Sequence, residues 1–158
     1  METINTNYFE DKFRKLQSAD KDKIFNNLRE EGFTTFNKTG LPTLRNEEWK
    51  YTAIGNLFKK EYHFVEDEKG TTISSSDIDS ILLPGFENAN EIVFVNGIFN
   101  PALSSIRSDE KELIVLPLEE AAAGIYGDII KKHLGKSSNI VKDGIHALNT
   151  SFIYGGLF

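Results

Sequence analysis

Apolar residues in the first third of the chain recur at helical spacing. Ile4, Tyr8, Phe9, Phe13 and Leu16 fall near one face, with charge on the other, which predicts a helix over residues 4–17. Ser18 or Asp20 can cap a second helix with Ile24, Phe25 and Leu28 inward, and Gly32 is its expected stop. Phe33 and Phe36 then predict a short further helical turn ending at Gly40, and Leu41-Pro42 an extended turn. Residues 47–60 predict another helix, Tyr62–Val65 a short strand, Glu66–Thr72 a surface loop, and Asp77–Leu83 a helix capped by Ser76 and closed by Pro84-Gly85.

The period then changes. Ile92-Val93-Phe94-Val95 is β-branched and aromatic and predicts a strand. Asn96-Gly97 tolerates positive φ at both positions, a hairpin signal that makes Ile98-Phe99 the return strand. Leu113–Leu116 predicts a third strand. Glu119–Leu134 predicts a helix interrupted near Gly124 and Gly127 and ended by Gly135, and Gly144–Phe152 a last short one. The whole reads as α+β, a helical region over 1–85 followed by an α+β segment over 86–158. The ending, Ile153-Tyr154-Gly155-Gly156-Leu157-Phe158, is apolar around a Gly-Gly turn, where a terminus is ordinarily polar. A chain that stops there is expected to have been cut in mid-structure. Residues 146–158 are then expected either to fold back over the Phe-rich core or to pair with a second copy.

Composition narrows the function classes. Of 158 residues, 39% are hydrophobic and 12 are Phe, enough apolar area for a packed core rather than a disordered tail. The net charge of −6, without any dense Lys/Arg cluster, argues against nucleic acid and anionic membrane surfaces as partners. The absence of cysteine removes disulfides, thiolate nucleophiles and Cys-ligated zinc or iron–sulfur clusters from this chain. The N-terminus lacks a basic and apolar leader pattern, so the cytoplasm is the expected compartment. Asn37-Lys38-Thr39 and Asn149-Thr150-Ser151 are therefore chance matches to a glycosylation pattern.

Candidate chemistry is sparse. Gly135-Lys136-Ser137 resembles the end of a phosphate-binding loop, but Ile130 stands where the loop needs glycine, and a helix, not a strand, leads into it; Gly135 reads better as a helix end. The histidines His63, His133 and His146 share no i, i+4 spacing and no Ser/His/Asp pattern, so each reads as a surface or packed residue. Asp77-Ile78-Asp79 lacks the further oxygen ligands of a calcium loop and reads as a helix start, and Asp109–Glu112 as a solvated loop. Adjacent Glu47 and Glu48 point to different sides and form no carboxylate pair. No catalytic, cofactor-binding or metal residue is assigned, and no cofactor is expected. The densest unusual stretch is Gly40–Thr52, whose lone Trp49 stands beside Tyr51. It either docks a partner or, as the commoner use of a lone Trp, locks the turn against the preceding helices.

That stretch, Gly40-Leu-Pro-Thr-Leu-Arg-Asn-Glu-Glu-Trp-Lys-Tyr-Thr52, resembles the N-terminal region of the SufD family of iron–sulfur cluster assembly proteins. Glu91–Ser104 is similar to that family's strand–turn segment, and His146–Phe152, closing on Gly155–Phe158, is similar to the entry into its core. The related SufB family carries a different Trp-containing pattern, so SufD is the nearer resemblance. The resemblance implies a non-catalytic scaffold, with SufB-like and SufC-like partners engaged through a full-length protein in a SufBCD complex. It also implies a right-handed parallel β-helix following this region. The regions implicated in partner contact would lie beyond Phe158, and no functional residue carries over to this chain. Two other classes remain open: a stand-alone interaction domain, and a nucleotide-handling enzyme using Lys136 and Ser137.

Overall fold

The structure is a computed structural model that describes residues 6–19, 23–60, 73–136 and 143–158. It is helix-rich with a small antiparallel sheet, an α+β chain as the periodicities predict. The elements are α1 (Thr6–Ala19), α2 (Asn26–Thr39), α3 (Ser75–Asp79), β1 (Phe94–Val95), β2 (Ile98–Phe99), α4 (Leu118–Ala123), α5 (Gly127–His133) and α6 (Gly144–Ser151). They form two compact units. One comprises Met1–His63 and Asp128–Tyr154, the other Phe64–Gly127 and Gly155–Phe158. The change of sequence pattern after residue 85 cuts the chain once, whereas packing interleaves it: residues 128–154 return to the helical unit because α6 packs on α2.

The first unit is built on phenylalanine. Phe9 and Phe13 of α1 and Phe33 and Phe36 of α2 are buried with Leu41 and Ala147. The Phe13 and Phe33 rings stack at 4.2 Å, and Phe9 meets Phe36 edge-on at 5.4 Å. Each such burial contributes about 1.5–3 kcal/mol, and each ring pair about 0.5–1.5 kcal/mol more.

Helix α2 does not stop at Gly32, which lies mid-helix and buried; one helix continues to Thr39, ended by Gly40 at φ 66°. The reason is close approach. A Cβ on Gly32 would lie 2.8 Å from the Ser151 amide nitrogen and 3.0 Å from the Ala147 carbonyl oxygen of α6. Glycine in a helix interior costs about 1 kcal/mol relative to alanine, offset here by letting the two helices touch. Nor does Ser18 cap α2: it lies inside α1, its hydroxyl donating to the Lys15 carbonyl, and Asp20 lies outside the described residues. Arg29, 1% exposed, extends over the Phe25 ring, and its Nε donates to the Ile153 carbonyl at 2.9 Å, tying the exit of α6 to α2.

Residues 47–60 are not one helix. Two short 3₁₀ turns replace it, Glu47–Trp49 and Ile54–Lys59, with no buried residue in either. With Tyr51 91% and Leu57 59% exposed, no apolar face is buried that could sustain a longer helix. The strand expected at Tyr62–Val65 and the loop at Glu66–Thr72 lie outside the described residues.

In the second unit, β1 and β2 pair Phe94 with Phe99 and Val95 with Ile98. Asn96 at φ 52° and Gly97 at φ 84° make the turn their types anticipate. Glu91 and Ser105 exchange backbone hydrogen bonds at 2.8 and 2.9 Å below the hairpin. Helix α3 is capped by Ser74, not Ser76, in a capping box with Asp77, and ends at Asp79 rather than Leu83. Ile81 and Leu83 are 72% and 77% exposed, so nothing holds a further turn. Leu113–Leu116 is not a ladder strand. Leu116 exchanges two backbone bonds with Phe158, and the Leu118 amide donates to the Gly156 carbonyl, giving only the isolated bridge Pro117–Leu157. Pro117 has no N–H to extend the pairing.

The interruption predicted near Gly124 and Gly127 separates α4 from α5, and Gly135 follows α5 at φ 75°. Within residues 146–158, Leu148 and Phe152 pack on the Phe core, and Phe158 stacks on Tyr126 at 4.6 Å.

Candidate functional site

The phosphate-loop candidate is a helix end. Ile130 is a buried residue of α5, 5% exposed, and Gly135 closes that helix beside Leu28, with the Lys136 amide donating to the His133 carbonyl at 3.2 Å. Ser137 lies outside the described residues. Asp77 caps α3; the Ser74 hydroxyl and then the Ser74 amide hold its carboxyl below the usual carboxylate range. Asp109 receives the Lys111 amide at 2.9 Å within an exposed turn. Glu47 pairs with Lys50 rather than with Glu48. His133 is exposed at the end of α5, and His63 lies outside the described residues.

The structure does bring together one constellation, in the helical unit. The turn after Pro42 is fixed by Asn46, whose Oδ1 accepts from the Thr43 amide at 2.8 Å and the Thr43 hydroxyl at 3.1 Å. That turn delivers half-buried Trp49, whose Nε1 donates to Asp143 Oδ2 at 3.3 Å across 94 residues of sequence. The other carboxylate oxygen of Asp143 caps α6, accepting the His146 amide at 2.9 Å, and lies 3.3 Å from His146 Nδ1. His146 is a surface residue, as expected, its side chain 48% exposed, and it has a carboxylate partner in Asp143. The signal was available in Asp143-Gly-Ile-His146, the spacing at which an N-cap carboxylate meets the third helical residue.

The Asp143 side chain is 16% exposed. Burial works to raise its pKa, but the amide and ring of His146 and the Trp49 indole outweigh burial and hold the carboxyl below its ordinary range. The approach is tight as well. A Cβ on Gly144 would fall 1.6 Å from the Gly40 carbonyl oxygen, so only glycine fits where α6 begins. Trp49 thus ties the turn to the start of α6, whereas the expectation set it against the preceding helices. Its neighbours are open to solvent: Leu44 and Tyr51 are 54% and 91% exposed, with the Lys50 ammonium 5.2 Å from the Tyr51 ring centre.

The arrangement is a cap and clasp. A carboxylate with its oxygens committed to a helix end and an indole has little left to offer as a base. Among the described residues no group of three or more His, Asp or Glu side chains converges to hold a metal ion. Among them, too, no helix is long and apolar enough to cross a membrane.

The family model described as the SufBD protein N-terminal region matches residues 2–158, so the chain belongs to the SufB/SufD family through that region. No curated relative and no solved structure matches the chain.

Proposed function

We propose that this chain is the N-terminal region of a SufD-like scaffold for iron–sulfur cluster assembly, acting in the cytoplasm through protein contacts rather than catalysis. The observation that carries the reading is the family match over residues 2–158. The choice of SufD over SufB rests on Gly40–Thr52, the segment that the Trp49–Asp143 hydrogen bond holds in place. In this reading the cluster is cargo of the assembly, and SufB-like and SufC-like proteins are the partners of the whole protein.

Co-expression of the full-length protein with the SufB-like and SufC-like proteins of the same cell tests it. Co-elution of all three as one complex is the expected result. A protein that replaces the SufB-like subunit, or that binds neither, overturns the assignment. Iron and sulfide reconstitution of the isolated chain is expected to leave no bound visible chromophore, because the chain supplies no thiolate.

A further inference from the structure

Residues 43–56 contrast with the Phe core of the helical unit. None of them is buried, although the chain enters the segment from buried Leu41 and Pro42 and leaves it at Phe58, whose ring lies 5.8 Å from that of Phe9. Their backbone hydrogen bonds are local: Asn46 to Thr43, Trp49 to Asn46, Thr52 to Trp49 and Asn56 to Ala53, at 2.9, 2.9, 2.9 and 3.3 Å. Among the described residues, the one hydrogen bond from this segment to another element is Trp49 Nε1 to Asp143 Oδ2.

We propose that residues 43–56 form a strap that opens as a unit by releasing the Trp49–Asp143 clasp while the Phe core stays folded. Segments with few buried contacts and local hydrogen bonds open at a smaller free-energy cost than the whole domain. The two ends are pinned. Gly40-Leu41 is wedged against Gly144, and Phe58 is set on Phe9, so opening is confined between them. Closed, the strap keeps the indole half-buried on the α6 cap. Open, it presents Trp49 together with Leu44 and Tyr51, an aromatic and aliphatic set on one short segment. The inference concerns this chain alone and stands whether or not the scaffold reading does.

Amide hydrogen exchange on the whole chain tests it. In the wild type, the amides of Asn46, Trp49, Thr52 and Asn56 are expected to be protected, but less than the α2 amides of Phe33 and Phe36. Trp49→Phe keeps the ring and removes the donor. It is expected to speed exchange of the strap amides about fivefold, the factor one ordinary hydrogen bond supplies, with α2 unchanged. Because Trp49 is the only tryptophan, its fluorescence gives a second reading: Asp143→Ala is expected to raise acrylamide quenching without lowering helix content. Strap amides as slow as those of α2, or without protection in the wild type, overturn the proposal. So does acceleration of strap and α2 alike by Trp49→Phe, and so does no acceleration at all.

Discussion

The two units solve the burial problem differently. In the helical unit Phe9, Phe13, Phe33 and Phe36 share a single apolar cluster, with helix α6 laid against α2. The other unit buries Leu118 and Ala121 but leaves Ile81, Leu83, Ile92, Phe94, Ile106, Ile114 and Ile125 more than a third exposed. Its order comes from backbone exchange at Glu91–Ser105 and Leu116–Phe158, and from polar clamps. Arg107 donates to the Ala89 carbonyl at 2.9 Å and to Glu91 at 2.7 Å, while Asn90 accepts the amides of Arg107 and Ser108 at 2.7 and 3.0 Å. Net hydrogen-bond contributions are small, about 0.5–1.5 kcal/mol each, whereas a buried Phe contributes more and cooperatively. Stability should therefore be concentrated in the helical unit.

Substitution of one Phe in each unit gives the largest contrast. Phe36→Ala, at a residue 2% exposed, is expected to cost about 3–5 kcal/mol; Phe94→Ala, at one 44% exposed, about 1 kcal/mol or less. Urea unfolding followed by circular dichroism measures both, and equal losses would erase the distinction between the units.

Gly144→Ala sharpens the contrast at the α2–α6 junction. Its methyl group has no room beside the Gly40 carbonyl, and a cost of about 3 kcal/mol is expected, the upper end for overpacking. The exposed Gly85, where an added Cβ meets nothing within 4 Å, has no such clash; only its φ of 88° opposes alanine there. Thermal melts of the two alanine variants should rank them in that order.

Trp49→Ala comes next. A fully buried Trp would cost about 3–5 kcal/mol, but Trp49 is half-buried on the strap, so about 1–2 kcal/mol is expected. A melting temperature identical to wild type would mean that the indole and its clasp on Asp143 contribute nothing to folding.

The smallest effect is electrostatic. The Asp143 carboxyl titrates below its ordinary value of 3.8 when folded, so its charge stabilises the fold at all pH above that value. The contribution fades as pH falls from 3.8 through the lower folded value, where protonation removes it. Asp143→Asn retains a capping oxygen and removes the charge. It is expected to cost about 0.3–1 kcal/mol at neutral pH. The gap from wild type should close once both forms are uncharged. A gap that persists in strong acid would assign the loss to geometry instead of charge.

Much of the fold was legible from residue type. Backbone chemistry that acts within a few residues fixed the Asn96-Gly97 turn, the Gly135 helix end, the break between α4 and α5 and the span of α6. The same local logic anticipated that Gly135-Lys136 is a helix terminus. It also recognised the Gly40–Thr52 stretch and, through it, the family.

What local chemistry left open are contacts between residues far apart in the chain. Gly32 looked like a helix stop because its partner, the Ala147–Ser151 face of α6, is more than a hundred residues away, and only that contact makes a mid-helix glycine worth its cost. Residues 47–60 were expected to be helical from their apolar spacing, yet no facing element covers Tyr51 or Leu57. The strand at Leu113–Leu116 lost its ladder because its neighbour is a short segment after Gly155-Gly156, met beside a proline. Asp143 and His146 were individually unremarkable in sequence. Spacing alone could pair them as cap and third residue, but the Trp49 indole reaches Asp143 only because α6 starts against Gly40, a packing decision taken across 94 residues.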